Sequence, residues 1–176
     1  DVIAQLGATA QNISTLVEQL LEVSRIETGH LDVKMENVSV AELFAELAAE
    51  FAPVAASKGF FFLTRPLPLT VHTDPLFVKR ILTNLITNAI RYSRKPGSKI
   101  VLAARRLRNG RITIGVYDQG PGISEEDRHR IFEAFYRGEA GKHSETGYGL
   151  GLSIVSGLAK RLGIPITVGS RLGRGS

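Results

Sequence analysis

Residues 74–93, DPLFVKRILTNLITNAIRYS, constrain the fold more than any other stretch. Asp74 is a good helix N-cap, and Pro75 suits the first helical position, where its missing N–H costs nothing. At about 100° per residue, Val78, Leu82, Leu85, Ile86 and Ala89 fall on one side, which predicts a helix with that side on a core. Asn84, Asn88 and Arg91 share the opposite side, one turn apart, with Arg80 close by. For asparagines alone, a solvated polar face is the simpler reading. Asparagine is, however, a mediocre helix former. Its amide oxygen can ligate a hard cation such as Mg²⁺, and a nearby arginine can meet phosphate oxygens.

Residues 2–28 carry a long helical pattern. Leu6, Ile13 and Leu20 are spaced by seven, as are Val2, Thr9, Leu16 and Val23, and Gly29 supplies the stop. Such a seam asks for partner helices, in a hairpin, a dimer or both. A helix lying on its own domain is the plainer alternative. Leu31, Val33 and Met35 alternate with polar residues, predicting a short strand. Ser39 and Glu42 form a capping box opening a helix with Val40, Leu43, Phe44 and Leu47 inward; Pro53 should kink or end it. Strands are expected at 60–64 and 70–73 before the central helix, and at 99–106 and 111–118 after it, the latter two joined through Asn109-Gly110.

The last of those strands runs into Asp118-Gln-Gly120-Pro-Gly122, where glycines let backbone approach something closely or simply turn the chain. Ser124 caps a short acidic helix, followed by Phe132-Glu-Ala-Phe135-Tyr-Arg137. Residues 138–146 are polar and aperiodic, as a mobile lid would be. Gly147-Tyr-Gly149-Leu-Gly151-Leu then enters an apolar helix reaching about Leu162. A glycine-rich loop feeding a helix N-terminus is a ready anion site; a flexible hinge with close helix packing explains the same residues equally well. A strand is expected at 164–168, and a glycine-rich turn at 169–176.

Composition excludes several classes. The 43% apolar and 22% charged content is that of a globular domain. No apolar run approaches the roughly 18 residues that span a bilayer, so no membrane contact is expected of this stretch. The absence of cysteine removes disulfides and thiolate metal sites and fits a reducing compartment, hence a cytoplasmic reading. The net charge of +5 invites nucleic acid. No basic tract has interleaved aromatics, and Arg105, Arg106, Arg108 and Arg111 read as a solvated hairpin, so no nucleic-acid partner is expected.

In order, Asn84/Asn88, Asp118-x-Gly120-x-Gly122, Phe132-x-x-Phe135, Gly147-x-Gly149-x-Gly151 and Gly173-x-Gly175 resemble the N, G1, F, G2 and G3 boxes of sensor histidine kinases. The resemblance covers nearly the whole chain. It implies an α+β fold, a two-layer α/β sandwich with a mixed sheet, shared with gyrase, mismatch-repair and chaperone ATPases. Residues 1–31, with LLEVSRIETGHL, look like the second helix of a dimerisation and phosphotransfer hairpin, and 32–176 like the catalytic ATP-binding domain without its last strand.

The roles that follow are those the resemblance implies. Asp118 would accept from adenine's amino group, Gly120, Gly122 and Ile123 would border the base, and Tyr92 would pack on it. Asn88 would ligate Mg²⁺, with Asn84 near the phosphates. The amides of Gly149, Leu150, Gly151 and Leu152 would hold the phosphates, with Arg137 or Arg91 offsetting their charge, and Thr146, Gly147 and Tyr148 would belong to the same ATP-binding set. The implied ligands are ATP and Mg²⁺. The implied partners are a second copy, through the helical hairpin, and a response-regulator receiver domain.

One position bears on the reaction. Related ATPases carry a water-activating Glu one turn before the magnesium-binding Asn; here that position is Asn84, and a carboxamide cannot take the proton. Transfer to a protein group is expected over hydrolysis. The family's acceptor histidine, with an acidic neighbour and a following proline, has no match at His30, His72, His129 or His143, so no residue is assigned as catalytic. The chain therefore reads as a piece of a larger receptor or hybrid kinase. The alternatives are a degenerate nucleotide-binding or scaffolding module, and an anti-sigma-type serine kinase.

Overall fold

The computed structural model describes residues 2–29, 31–138 and 147–176, residues 2–5 and 8 through their backbone alone. The elements run α1 (Val2–Glu27), β1 (Glu36–Ser39), α2 (Val40–Ser57), β2 (Phe61–Arg65), β3 (Thr70–Thr73), α3 (Pro75–Tyr92), β4 (Lys99–Arg106), β5 (Ile112–Tyr117), α4 (Glu125–Arg128) and α5 (Gly151–Leu162). Strand β2 pairs parallel with β4, which pairs antiparallel with β5, so the sheet is mixed as expected. Strands β1 and β3 form a separate antiparallel pair.

Alternation along the strands puts Phe62, Ile100, Leu102, Ala104, Ile114 and Val116 on one sheet face. Helices α2 and α3 cover it with Leu43, Phe44, Leu47, Phe51, Val78, Leu82 and Ile86. The caps are the expected ones. Ser39 Oγ accepts from the Glu42 N–H, and Asp74 Oδ1 accepts from the Phe77 N–H at 3.0 Å. The hairpin between β4 and β5 closes on Gly110 at φ +80°, with Asn109 Oδ1 accepting from the Arg111 N–H.

Helix α3 differs from its expected two-sided pattern. It is clamped between two cores, because α5 packs where solvent was expected. Ile81, Phe77 and Leu85 join Ile154, Val155, Leu158 and Ala159 in a second cluster, so Leu85 belongs with α5 and not with the sheet-facing residues. Asn84 is consequently buried.

Three other expectations are corrected. Residues 31–35 form no strand: the Lys34 N–H is taken by Asp74 Oδ2 at 2.7 Å, and Leu31 turns into the second cluster while Val33 and Met35 stay exposed. Pairing begins only at Glu36, opposite Thr73. Helix α2 does not end at Pro53 but runs on to Ser57; the carbonyl that loses its donor belongs to exposed Ala49, where water can replace it. Residues 164–168 form no strand either, since they stand across a trough from β5 instead of bonding to it. A single bridge, Arg171 to Gly175, follows. The expected lid, 138–146, lies outside the described residues but for Gly138.

Helix α1 lies along α5. Val23 and Ile26 reach the second cluster, and Ile26 packs on Gly157 so closely that any side chain there would overlap it. Glu22 Oε2 pairs with Arg80 Nη2 at 2.6 Å, and Arg161 donates to the Gly29 carbonyl. The heptad seam is thus split: Val23 is satisfied by this chain, whereas Leu6, Ile13 and Leu20 remain exposed, as do Val17 and Leu21 beside them. Among the described residues no helix is long and apolar enough to cross a membrane.

Candidate functional site: a cavity between α3, the glycine loops and α1

Helix α3, the end of β5, the loop before α5 and the flank of α1 enclose one cavity of about 1670 Å³. Asn84, Asn88, Arg91, Tyr92, Asp118, Gly122, Ile123, Arg137, Gly147, Tyr148, Gly149, Leu150, Gly151 and Leu152 all line it. Residues scattered over 69 positions (152 minus 84, plus 1) are therefore brought to one place. The same cavity continues into the trough between β5 and 164–168, so its full volume exceeds that of the ligand end. Gly120 is buried behind the wall, and Thr146 lies outside the described residues.

The polar residues of α3 face the start of α5. Asn84 Nδ2 donates to the Arg80 carbonyl at 3.0 Å. A Cβ on Gly151 would sit 3.1 Å from Asn84 Oδ1 and 3.9 Å from Asn88 Nδ2, so glycine there lets the helix start close to both amides. Leu150 occupies the N-cap position of α5 and offers no side-chain cap, which leaves the first N–H groups of the helix without a side-chain acceptor at the cavity wall. The Leu150 side chain is wholly buried and that of Leu152 packs in the second cluster, so their contribution to a ligand is backbone only. Arg91 presses against Gly147, at φ +108°, where any side chain would overlap the guanidinium. These groups make the cationic, donor-rich end of the cavity.

Asp118 marks the other end. Its Oδ1 accepts from the Gly120 N–H at 2.7 Å, and its own N–H donates to the Ser176 carbonyl at 2.9 Å. Burial raises its pKa above the ordinary 3.8, against the lowering effect of backbone hydrogen bonds from Gly120 and Ser176. A Cβ on Gly120 would sit 2.8 Å from Asp118 Oδ1 and 3.3 Å from the Tyr92 carbonyl, so this glycine seats the carboxylate from behind. Gly122 and Gly175 are similarly obligatory: a side chain on the first would overlap the Arg171 carbonyl, and on the second the Asp118 carbonyl. The Gly173 N–H donates to Pro121 at 2.7 Å and the Ile123 N–H to Ser170 Oγ at 2.7 Å. The last glycine pair thus braces the Asp118 loop and does not line the cavity.

The Phe132–Phe135 segment also acts through the glycine loop. The Phe135 N–H donates to the Gly149 carbonyl at 2.9 Å, with Phe135 itself at φ +65°. Tyr136 donates to Asp127 Oδ1 at 2.5 Å and carries Arg130 over its ring. Asn12, Thr15 and Gln19 of α1 complete the wall, and no spacing in the sequence singles them out. Among the described residues no group of three or more His, Cys, Asp or Glu side chains converges on a metal site. A cation here would rest on Asn88 and on oxygens brought by the ligand.

A family model described as histidine kinase-, DNA gyrase B- and HSP90-like ATPase matches residues 73–176. The sensor-like histidine kinase SenX3 of Mycobacterium tuberculosis is 35% identical over 169 residues, 95% of this chain and 41% of that protein. The swarming motility regulation sensor protein RssA of Serratia marcescens is 32% identical over 169 residues, 96% of this chain and 35% of its own length. Among solved structures, full-length ShkA in complex with AMPPNP superposes with a TM-score of 0.85 at 29% identity, over 99% of this chain and 36% of that one. The chain spans roughly two fifths or less of these proteins.

Proposed function

This chain belongs to the histidine kinase-, DNA gyrase B- and HSP90-like ATPase family, as a catalytic ATP-binding domain of the histidine-kinase kind, and we propose that it binds MgATP and delivers the γ-phosphoryl group to a histidine outside residues 1–176. In that reading residues 1–31 are the second helix of a dimerisation hairpin and 32–176 the catalytic domain. The exposed stripe of Leu6, Ile13, Val17 and Leu20 is the face left for partner helices. Passage of the phosphoryl group to an aspartate of a receiver domain belongs to the same reading.

The observation that carries it is the polarity of the cavity. One end has the half-buried Asp118 carboxylate seated by the glycines of its loop, suited to an exocyclic amino group. The other has Arg91, the two asparagine amides and uncapped helix N–H groups, suited to a polyphosphate. When bound, Mg²⁺ would offset phosphate charge, and Asn88 is the side chain fitted to hold it. Asn84 donates to the Arg80 carbonyl with Gly151 close by, and as a carboxamide it takes no proton. Phosphoryl transfer needs mainly alignment and charge neutralisation, and this set supplies both without a general base.

Titration calorimetry checks the assignment. The chain binds MgATP and prefers it to MgGTP, since guanine presents a carbonyl where adenine has its amino group. Asn88→Ala weakens binding in Mg²⁺ and changes little in EDTA. Equal loss with and without the metal would remove Asn88 from the metal site.

A further inference from the structure

Tyr148 of the glycine-rich loop reaches helix α1. The Tyr148 hydroxyl donates to the Asn12 backbone carbonyl at 3.1 Å, across 136 positions of sequence. A carbonyl has two lone pairs, so the phenol takes the one its helix leaves open. Asn12, Thr15 and Gln19 fall on one face of α1 and stand in the wall of the cavity that Asn84, Asn88 and Arg91 line. Further along, both Glu22 carboxylate oxygens accept from Arg80 Nε at 3.1 Å. Arg80 in turn offers its carbonyl to Asn84. Helix α1 therefore grips the site twice, at the loop and at the turn of α3 that precedes Asn84.

The flanking glycines give the first grip its meaning. Gly147 and Gly149 adopt φ of +108° and +72°, conformations that leave the loop little steric definition of its own. Its position is set by what it touches: Phe135 through the Gly149 carbonyl, Arg91 against Gly147, and α1 through Tyr148.

We propose that Tyr148 is a positioning residue whose hydroxyl registers the glycine-rich loop on α1, so that docking of α1 and occupation of the cavity by nucleotide favour each other. The proposal rests on the ATP-binding reading above. By linkage the effect is reciprocal: what nucleotide does for α1, docked α1 does for nucleotide. One neutral hydrogen bond sets the scale, roughly 3- to 10-fold.

Amide hydrogen exchange over residues 10–20 of the whole chain, with and without saturating MgATP, tests this against Tyr148→Phe, which keeps the ring and loses the donor. In the unaltered chain MgATP raises protection of that stretch by roughly 3- to 10-fold. In Tyr148→Phe the increment disappears, while MgATP affinity falls by no more than the same factor. Glu22→Gln loosens the other grip, lowering protection in both conditions and keeping the increment. An increment equal in the unaltered chain and Tyr148→Phe overturns the proposal, as does a fall in protection on adding MgATP. Failure of the unaltered chain to bind MgATP defeats the ATP-binding reading instead. The contact is then judged without nucleotide, where Tyr148→Phe must show lower protection over residues 10–20, and equal protection overturns it.

Discussion

Asp118 shows how one residue can trade stability for recognition. Its folded-state pKa is raised, burial outweighing the Gly120 and Ser176 hydrogen bonds. The folded chain thus keeps this proton to higher pH than the unfolded one. Stability from this group is fully present below the ordinary 3.8 and is lost as pH rises through the raised folded value, leaving a cost at neutral pH. Asp118→Asn has nearly the same shape, still accepts from the Gly120 N–H and carries no charge to desolvate. It is expected to be at least as stable as the parent at pH 7, with its advantage vanishing below pH about 4. Its preference for ATP over GTP should fall, because an amide can turn its NH₂ toward a guanine carbonyl. Urea titrations at several pH values, paired with calorimetry, measure both effects. Lower stability of Asp118→Asn at pH 7 would mean that the carboxylate's hydrogen bonds outweigh its desolvation.

At the scale of elements, α3 is held from two sides by different kinds of contact. Ile86 is wholly buried in the sheet-side cluster, while Ile81 faces α5. Ile86→Ala should cost about 2–5 kcal/mol, as for other buried large-to-small changes. Ile81→Ala should cost less, yet loosen the seat of α5 beside Asn84 and weaken MgATP binding. Denaturant midpoints and affinities of the two variants separate these roles; a larger stability loss from Ile81→Ala would reverse the assignment of the main core. This double burial also explains what the sequence made legible. The sheet side of α3, both caps and the β4–β5 hairpin follow from local pattern and turn chemistry. Leu85 falls among the sheet-facing residues by periodicity because its real cover, α5, lies more than 60 positions away, and no periodicity within α3 can report it. The candidate site was legible as a set of residues and not as a role: the asparagines and most of the glycines singled out by their order and spacing converge on one cavity, although each alone allowed a plainer reading. Asn12, Thr15 and Gln19 carry no such signal, being ordinary polar residues of a solvated helix.

For the whole molecule, the proposed reading makes the arrangement one half of a reaction. In that reading the cavity aligns a triphosphate with α1 beside its donor-rich end, but in-line transfer also needs an imidazole within a few ångströms of the γ-phosphorus. His72 sits on β3 with Nδ1 3.2 Å from Asn37 Oδ1, and His129 is exposed at the end of α4. His30 and His143 lie outside the described residues. None has the acidic neighbour and following proline of the family's acceptor. Water fares little better, since Asn84 stands in the cavity wall as a carboxamide and cannot draw a proton from it. Incubation with γ-³²P-ATP should therefore leave the 176-residue chain unlabelled and release phosphate only slowly. Addition of a helical hairpin carrying an acceptor histidine should produce a label that is lost in acid and stable in base. Acid-labile label on the chain alone, mapped to any of its four histidines, would relocate the acceptor into this domain and undo the division of labour between hairpin and catalytic part.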